Sequence, residues 1–337
     1  MRSRALRRLV VALAALVVID LFEPAVLRSL EEARYEDPAR DFRFENSDLF
    51  GLGPLVAYLR EHPRGRQPRV LFLGNSVIFG YELSASDAVP ARYQRFDGSA
   101  KVFNAAINGL STASSLVIAR AAVDSVDLTY ALLGPIEAPV VLPILPRLIP
   151  VDDADLAQFH LPAPNRIEQL LAAPVNRWRL YRDGYRLQAA LFGSSTRQFV
   201  YLHKGALARG LIARVRAEQP SRPLPEETVT ITEPMADAVP DAARQLELRA
   251  QRPELWQFGD LARSRRKPIV LLQVEGHSKP LLTAAMADFN RVFAPQARVL
   301  FVRVPPQLTM DGMHVTSTGA VAFARALRDA RLKDSPR

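Results

Sequence analysis

A serine, a histidine and an aspartate in this sequence stand where nucleophilic catalysis would need them. Ser76 lies three residues beyond the apolar run Val70–Leu73, and Asp311 and His314 are three residues apart near the C-terminus. A serine hydroxyl becomes an effective nucleophile when a histidine takes its proton. A carboxylate in turn fixes the tautomer of that histidine and stabilises the imidazolium. The three residues therefore predict acyl chemistry, with Ser76 as nucleophile, His314 as base and Asp311 as orienting acid.

A further segment, Val102–Gly109, would complete such a site. It reads as a strand followed by a turn that delivers a glycine. Acyl transfer passes through a tetrahedral oxyanion that preorganised N–H donors stabilise. We expect the backbone amides of Ser76 and Gly109 to be two of these donors.

The elements that must position these residues alternate between strands and helices. The strands are apolar on both faces, which is typical of a parallel sheet covered by helices on both sides. Ligands bind such sheets at the carboxyl ends of the strands, where Ser76, Gly109 and His314 all fall. The predicted strands are Arg69–Leu73, Lys101–Asn104, Asp127–Leu133, Pro268–Val274 and Arg298–Val304, and the predicted helices are Leu52–Glu61, Ser114–Asp124 and Ala320–Ala330.

Three of these segments together resemble the conserved blocks of the SGNH (GDSL-type) hydrolase superfamily. Gly74–Val77 is similar to the first block, with asparagine where aspartate is usual, and Asn104–Gly109 is similar to the second. Asp311–His314, with Gly319 behind it, is similar to the last block. The resemblance implies a three-layer α/β/α sandwich with a mostly parallel sheet, the flavodoxin-like SGNH fold. It also implies a Ser-His-Asp apparatus that hydrolyses or transfers acyl esters.

The third block departs from the pattern of that family. Gly134-Pro135-Ile136-Glu137 has isoleucine where the family places an asparagine that donates to the oxyanion. Loss of one such donor costs about 3 kcal/mol of transition-state stabilisation, or about a hundredfold in rate. Either the amides of Ser76 and Gly109 suffice, or another side chain substitutes, with Asn108 as the candidate, or the activity is weak.

The same departure is familiar in membrane-anchored relatives that resemble the proteins of alginate acetylation and teichoic-acid D-alanylation. We therefore predict an envelope acyltransferase or esterase, acting on acyl esters of polysaccharides or lipids. The alternative is a weakly active or inactive scaffold in an envelope-modification complex, partnered by a multi-span membrane acyltransferase.

The N-terminus has the layout of an export signal. Arg2, Arg4, Arg7 and Arg8 precede the apolar run Leu9–Ile19, and no small-x-small cleavage site follows. We expect a signal anchor over residues 1–26, passing once through the inner membrane and leaving the catalytic domain on the periplasmic side. A cleaved signal and a buried core helix are the alternatives.

The rest of the chain divides by composition. Residues 27–66 are expected to form a charged, irregular stem and a first helix, 67–137 the first half of the SGNH-like domain, and 263–337 its second half. Residues 138–262 differ in character and are interpreted as a mostly helical insertion, a lid or cap. Within the insertion, Glu218–Thr232 reads as a polar loop, and aromatic residues alternate with arginines from Arg177 to Phe199. That stripe is either a polymer-binding groove or the two faces of one helix.

The composition and the spacing of its histidines and glycines limit which partners and cofactors we expect. The net charge of +9 favours anionic surroundings, but no nucleic-acid-binding signature is present, so nucleic acid is not expected as a partner. The chain has no cysteine, and therefore no disulfide or thiolate site. His62, His160 and His203 lack metal-ligand spacing, and no phosphate-binding glycine loop occurs. We expect neither a metal nor another cofactor.

Overall fold

The computed structural model describes residues 2–35, 52–62, 65–81, 83–107, 110–134, 228–234, 246–247, 249–250, 252–274 and 280–334. Its strands are β1 (Arg69–Leu73), β2 (Lys101–Asn104), β3 (Leu128–Leu132), β4 (Thr230–Thr232), β5 (Ile269–Val274) and β6 (Ala297–Arg303). Its α-helices are α1 (Arg2–Tyr35), α2 (Leu52–Glu61), α3 (Ser76–Phe79), α4 (Val89–Phe96), α5 (Thr112–Ala122), α6 (Pro253–Arg265), α7 (Pro280–Phe293) and α8 (Ser317–Asp334). Short 3₁₀ helices lie at Ala85–Asp87, Val123–Ser125 and Pro306–Leu308.

The strands form one six-stranded sheet in the order β2-β1-β3-β5-β6-β4. Every neighbouring pair is parallel except β4 with β6, which is antiparallel. The chain leaves β1 toward β2 on one side and later returns to β3 on the other side. Such a reversal opens a crevice at the carboxyl ends of β1 and β3. The turn after β1, which carries Ser76, borders this crevice.

Alternate residues along each strand point into two separate hydrophobic cores, as the two-residue period of a strand requires. On one face, Leu71, Phe103 and Leu271 pack with residues of α2, α5, α6 and α7. On the other face, Phe72 and Leu272 pack with residues of α3, α4 and α8. The predicted α/β fold, with a mostly parallel sheet between two helical layers, is thus confirmed.

The strand β4 departs from the sequence prediction. Thr230–Thr232 was expected to end a polar loop, and for these three residues the loop prediction is wrong. They pair with Phe301–Arg303 at the edge of the sheet. Both β4 and most of α6 lie within residues 138–262, yet they belong to the sandwich itself. The rest of that segment, including its aromatic and arginine stripe, lies outside the described residues.

The N-terminal helix also differs from expectation. It continues to Tyr35, whereas an irregular stem was predicted from residue 27. The extension is explained by Glu31, Glu32 and Arg34, which are good helix formers. Its apolar side chains from Leu9 to Phe22 are largely exposed. Among the described residues, no helix has both the length and the apolarity of a membrane span. The membrane helix expected over residues 1–26 stays a prediction.

Candidate active site

The turn after β1 presents Ser76 at the sheet edge. Gly74 allows β1 to lie close to β3, because a Cβ at this position would approach Leu132 Cβ to 2.8 Å. Asn75 then caps α3, its side-chain oxygen accepting the N–H of Val77 at 3.1 Å. This side chain thus performs locally the capping that a carboxylate would provide. Ser76 begins α3 and is 9% exposed.

A short closed loop presents His314 from the other half of the chain. After β6, Thr309 and Val315 form an isolated antiparallel bridge, and the Met310 N–H donates to the His314 carbonyl at 2.7 Å. Within this loop, Asp311 Oδ1 accepts the backbone N–H of Met313 at 3.0 Å and that of His314 at 2.8 Å. The carboxylate therefore shapes the loop that carries the histidine.

The structure brings Ser76, His314 and Asp311 into one hydrogen-bonded row. Ser76 Oγ lies 2.8 Å from His314 Nε2, and His314 Nδ1 lies 2.6 Å from Asp311 Oδ2. The hydrogen bond from the His314 backbone N–H is the main cause that lowers the pKa of Asp311 to about 2, and the bond from the His314 ring is the next. The carboxylate is thus ionised at neutral pH, so Nδ1 donates to it and Nε2 accepts from the serine hydroxyl.

This row has the arrangement in which a serine can attack an acyl carbon. The imidazole accepts the hydroxyl proton as the Oγ–carbon bond forms, and the carboxylate stabilises the resulting imidazolium. Exposure increases along the row, since Ser76 is buried, the His314 side chain is 17% exposed and the Asp311 side chain 52%. The Ser76 hydroxyl therefore lies at the bottom of a surface site.

Sequence reasoning missed one residue of the site, Tyr81. Its ring centroid lies 4.6 Å from that of His314, with 35° between the ring planes. The only signal for it in the sequence was an aromatic residue placed directly after the Gly80 that ends α3.

The oxyanion donors are described in part. The N–H of Ser76 lies in the first turn of α3, where a helix offers no acceptor of its own. The loop after β2 runs alongside the end of β1, with Ala105 N–H donating to Phe72 O at 2.8 Å and Ile107 N–H to Gly74 O at 2.9 Å. Asn108 and Gly109 lie outside the described residues, which resume at Leu110.

The third block is likewise seen only at its start. The Gly134 N–H donates to Thr112 Oγ1 at 2.9 Å, which joins the end of β3 to the first turn of α5. Ile136 and Glu137 lie outside the described residues. The oxyanion roles of Gly109 and Asn108, and the effect of Ile136, stay predictions.

No family model matches the chain, and no curated protein matches it. The chain is similar to the structure of a GDSL-like lipase from Bacteroides thetaiotaomicron, with 12% identity over 85% of this chain and 100% of the lipase and a TM-score of 0.40. It is also similar to AlinE4, an SGNH-hydrolase family esterase, with 15% identity over 82% of this chain and 100% of the esterase and a TM-score of 0.33.

A third similar structure is a carbohydrate esterase family 2 enzyme with a carbohydrate-binding domain from Corynascus thermopiles (Myceliophthora fergusii). It shares 10% identity over 80% of this chain and 67% of that enzyme, with a TM-score of 0.37.

Proposed function

We propose that this protein is an SGNH-type serine hydrolase or O-acyltransferase that acts on acyl esters. One observation carries the proposal: the continuous row from Ser76 Oγ to His314 Nε2 at 2.8 Å and from His314 Nδ1 to Asp311 Oδ2 at 2.6 Å. Three side chains from two distant parts of the chain meet with the donors and acceptors that nucleophilic catalysis requires.

The reaction follows from this geometry. Ser76 Oγ attacks the acyl carbon while its proton passes to His314 Nε2. The Ser76 N–H, with the Gly109 N–H that the sequence predicts as a second donor, holds the oxyanion. The intermediate collapses as His314 gives its proton to the leaving alcohol oxygen, and the acyl group remains on Ser76. Water or a sugar hydroxyl then attacks the acyl-serine, His314 takes the proton of that attacking oxygen, and Ser76 Oγ leaves and recovers a proton.

The test of this proposal replaces the nucleophile. Ser76→Ala should lower the turnover of p-nitrophenyl acetate by about 10³-fold or more, since only binding and the oxyanion site remain. The same variant should lose labelling by a fluorophosphonate probe. Ser264→Ala removes an exposed hydroxyl on α6 and should change neither readout. Unchanged turnover and labelling in Ser76→Ala would refute the assignment, and an unlabelled wild-type protein would favour the inactive scaffold.

We extend the proposal to substrate and location. The N-terminal arginines, together with the exposed apolar side chains from Leu9 to Phe22, support an extracytoplasmic domain at the inner membrane. In that location the acyl esters would belong to envelope glycans or lipids. A periplasm-dependent reporter fused after residue 66 should be active, and loss of Ser76 should change the acetyl content of the envelope. An inactive reporter would refute the location without affecting the chemistry.

A further inference from the structure

Tyr81 shares the turn of the nucleophile and contacts the base. Its backbone N–H and that of Gly80 both donate to the Ser76 carbonyl at 3.0 Å. The chain thus folds back on Ser76 immediately after α3 and places the Tyr81 ring against the His314 ring, centroid to centroid at 4.6 Å. The same short turn therefore carries both the attacking oxygen and an aromatic support for the imidazole.

The other supports of His314 are unequal. The bond to Asp311 lies at the exposed end of the row, on a loop where Asp311, Gly312 and Met313 are all exposed. Water competes there for hydrogen bonds to the carboxylate. The bond to Asp311 also does not prevent the imidazole ring from rotating about the axis that joins Asp311 Oδ2 to Ser76 Oγ. The bond to Ser76 restrains the inner end, but only while Ser76 Oγ carries its proton.

The second half of the reaction removes that inner restraint. Once the acyl group is on Ser76, the ester oxygen has no proton to donate to His314 Nε2. The imidazole must then stay in place to take a proton from the incoming water or sugar hydroxyl. Of the contacts described for the ring, those with Asp311 and Tyr81 do not depend on the serine proton.

We propose that Tyr81 is a positioning residue that holds His314 over the nucleophile turn, with its largest effect in the acyl-enzyme. This inference rests on the proposed function. The ring supplies the contact, through apolar packing and attraction between its face and the imidazolium. Misplacement of a catalytic group by about 1 Å costs up to about 10²-fold in rate, and we expect a loss of that order.

The experiment compares Tyr81→Leu with Tyr81→Phe in the full chain. The leucine variant should lower the steady-state kcat for p-nitrophenyl acetate by about 10- to 100-fold, with KM unchanged or lower. Stopped-flow measurements should show a larger initial burst, and intact-protein mass should show more acyl-enzyme at steady state. The phenylalanine variant keeps the ring and should remain within a few-fold of wild type. A packing role alone would not increase the acyl-enzyme.

The outcomes separate this inference from the proposed function. Wild-type deacylation in Tyr81→Leu, with normal turnover in the parent protein, would overturn the role of Tyr81 alone. A parent protein that forms no acyl-enzyme would overturn both. Urea unfolding should show that the leucine variant folds; if it does not, Tyr81→Met supplies similar volume without a ring, and the same burst comparison decides.

Discussion

At Asp311, hydrogen bonds rather than burial set the electrostatics of the site. Half of the side chain is exposed, yet its pKa is lowered to about 2 by the N–H of His314 and the bond to its ring. An exposed carboxylate is screened by water, so its value to the site is mainly directional. It favours the imidazole tautomer that carries its proton on Nδ1, which leaves Nε2 free to accept the hydrogen bond from the serine hydroxyl.

The directional role predicts the effect of Asp311→Asn. The amide N–H₂ can face His314 Nδ1 and favour the tautomer that carries its proton on Nε2, which cannot accept from Ser76. We expect kcat for p-nitrophenyl acetate to fall by about 10²- to 10⁴-fold. Asp329→Asn, which removes a half-exposed carboxylate on α8, is the matched control. A change of less than about twofold in Asp311→Asn would show that this carboxylate does not orient the base.

The same carboxylate predicts a pH dependence of stability. Its pKa is about 2 in the folded protein, below the ordinary aspartate value of 3.8, so the ionised carboxylate favours folding above pH 3.8. That contribution decreases as the pH falls toward 2 and is lost below it. The difference in unfolding free energy between wild type and Asp311→Asn should therefore shrink from pH 6 to pH 2 in urea titrations. A difference that stays constant over this range would contradict the assigned pKa.

The sequence was sufficient to predict which polar residues would meet. Ser76 and His314 each follow an apolar strand, and strand ends of a parallel sheet share an edge. Tyr81 could not be predicted in the same way. Its contact with His314 depends on how far the last loop reaches back across the sheet, and no local periodicity encodes that distance.

At the scale of elements, Gly319 determines how the histidine loop joins α8. A Cβ at this position would lie 2.1 Å from the Leu308 carbonyl oxygen. The same oxygen accepts the Thr316 N–H at 2.9 Å, and Thr316 Oγ1 accepts the Gly319 N–H at 3.0 Å. The first turn of α8 therefore lies directly against the 3₁₀ turn that begins the loop.

Gly319→Ala should displace that loop. Because the clash is with backbone, relief requires α8 or the Pro306–Leu308 turn to move, and the Ser76–His314 distance should increase. We expect kcat to fall by about 10-fold or more and the urea midpoint to decrease. Gly98→Ala is the control, since a Cβ there meets nothing within 4 Å. Wild-type activity in Gly319→Ala would show that the site tolerates this movement.

Some helices and strands could be predicted from the sequence more accurately than others. The strand Arg69–Leu73 contains the continuous apolar run Val70–Leu73, and its predicted bounds match the structure. The predicted bounds of β3, β5 and β6 differ from the observed ones by one residue at one or both ends. The strand Thr230–Thr232 escaped prediction because it has three residues, two of them exposed threonines. Its formation depends on pairing with β6, a tertiary interaction that cannot be predicted from a short polar segment.

At the scale of the whole molecule, a tyrosine pair lies between the sheet and one helical layer. Tyr130 on β3 is 3% exposed, and its ring lies 5.0 Å from Phe72 and 5.8 Å from Tyr93, centroid to centroid. Burial raises the pKa of Tyr130 well above 10, and burial also raises the pKa of Tyr93. Both hydroxyls thus stay protonated in the folded protein at pH values where unfolded tyrosines ionise.

This pair predicts alkaline destabilisation. Above about pH 10 the unfolded chain releases protons that the folded chain retains, so the free energy of unfolding decreases as the pH rises. Tyr130→Phe should weaken that decrease between pH 9 and pH 11, measured by thermal unfolding. Tyr93 keeps its bond from Arg331 at 3.2 Å in this variant. Tyr81→Phe controls for loss of a hydroxyl near the surface, and an equal alkaline slope in Tyr130→Phe and wild type would contradict the prediction.

The 238-residue separation between Ser76 and His314 has a kinetic consequence. Contacts between residues so far apart in sequence close long loops and are expected to form late in folding. A fluorophosphonate that reacts only with an activated serine would then act as a clock for the last stage of refolding. Recovery of labelling should lag behind recovery of helical circular dichroism, and the lag would time the arrival of the C-terminal loop at the nucleophile.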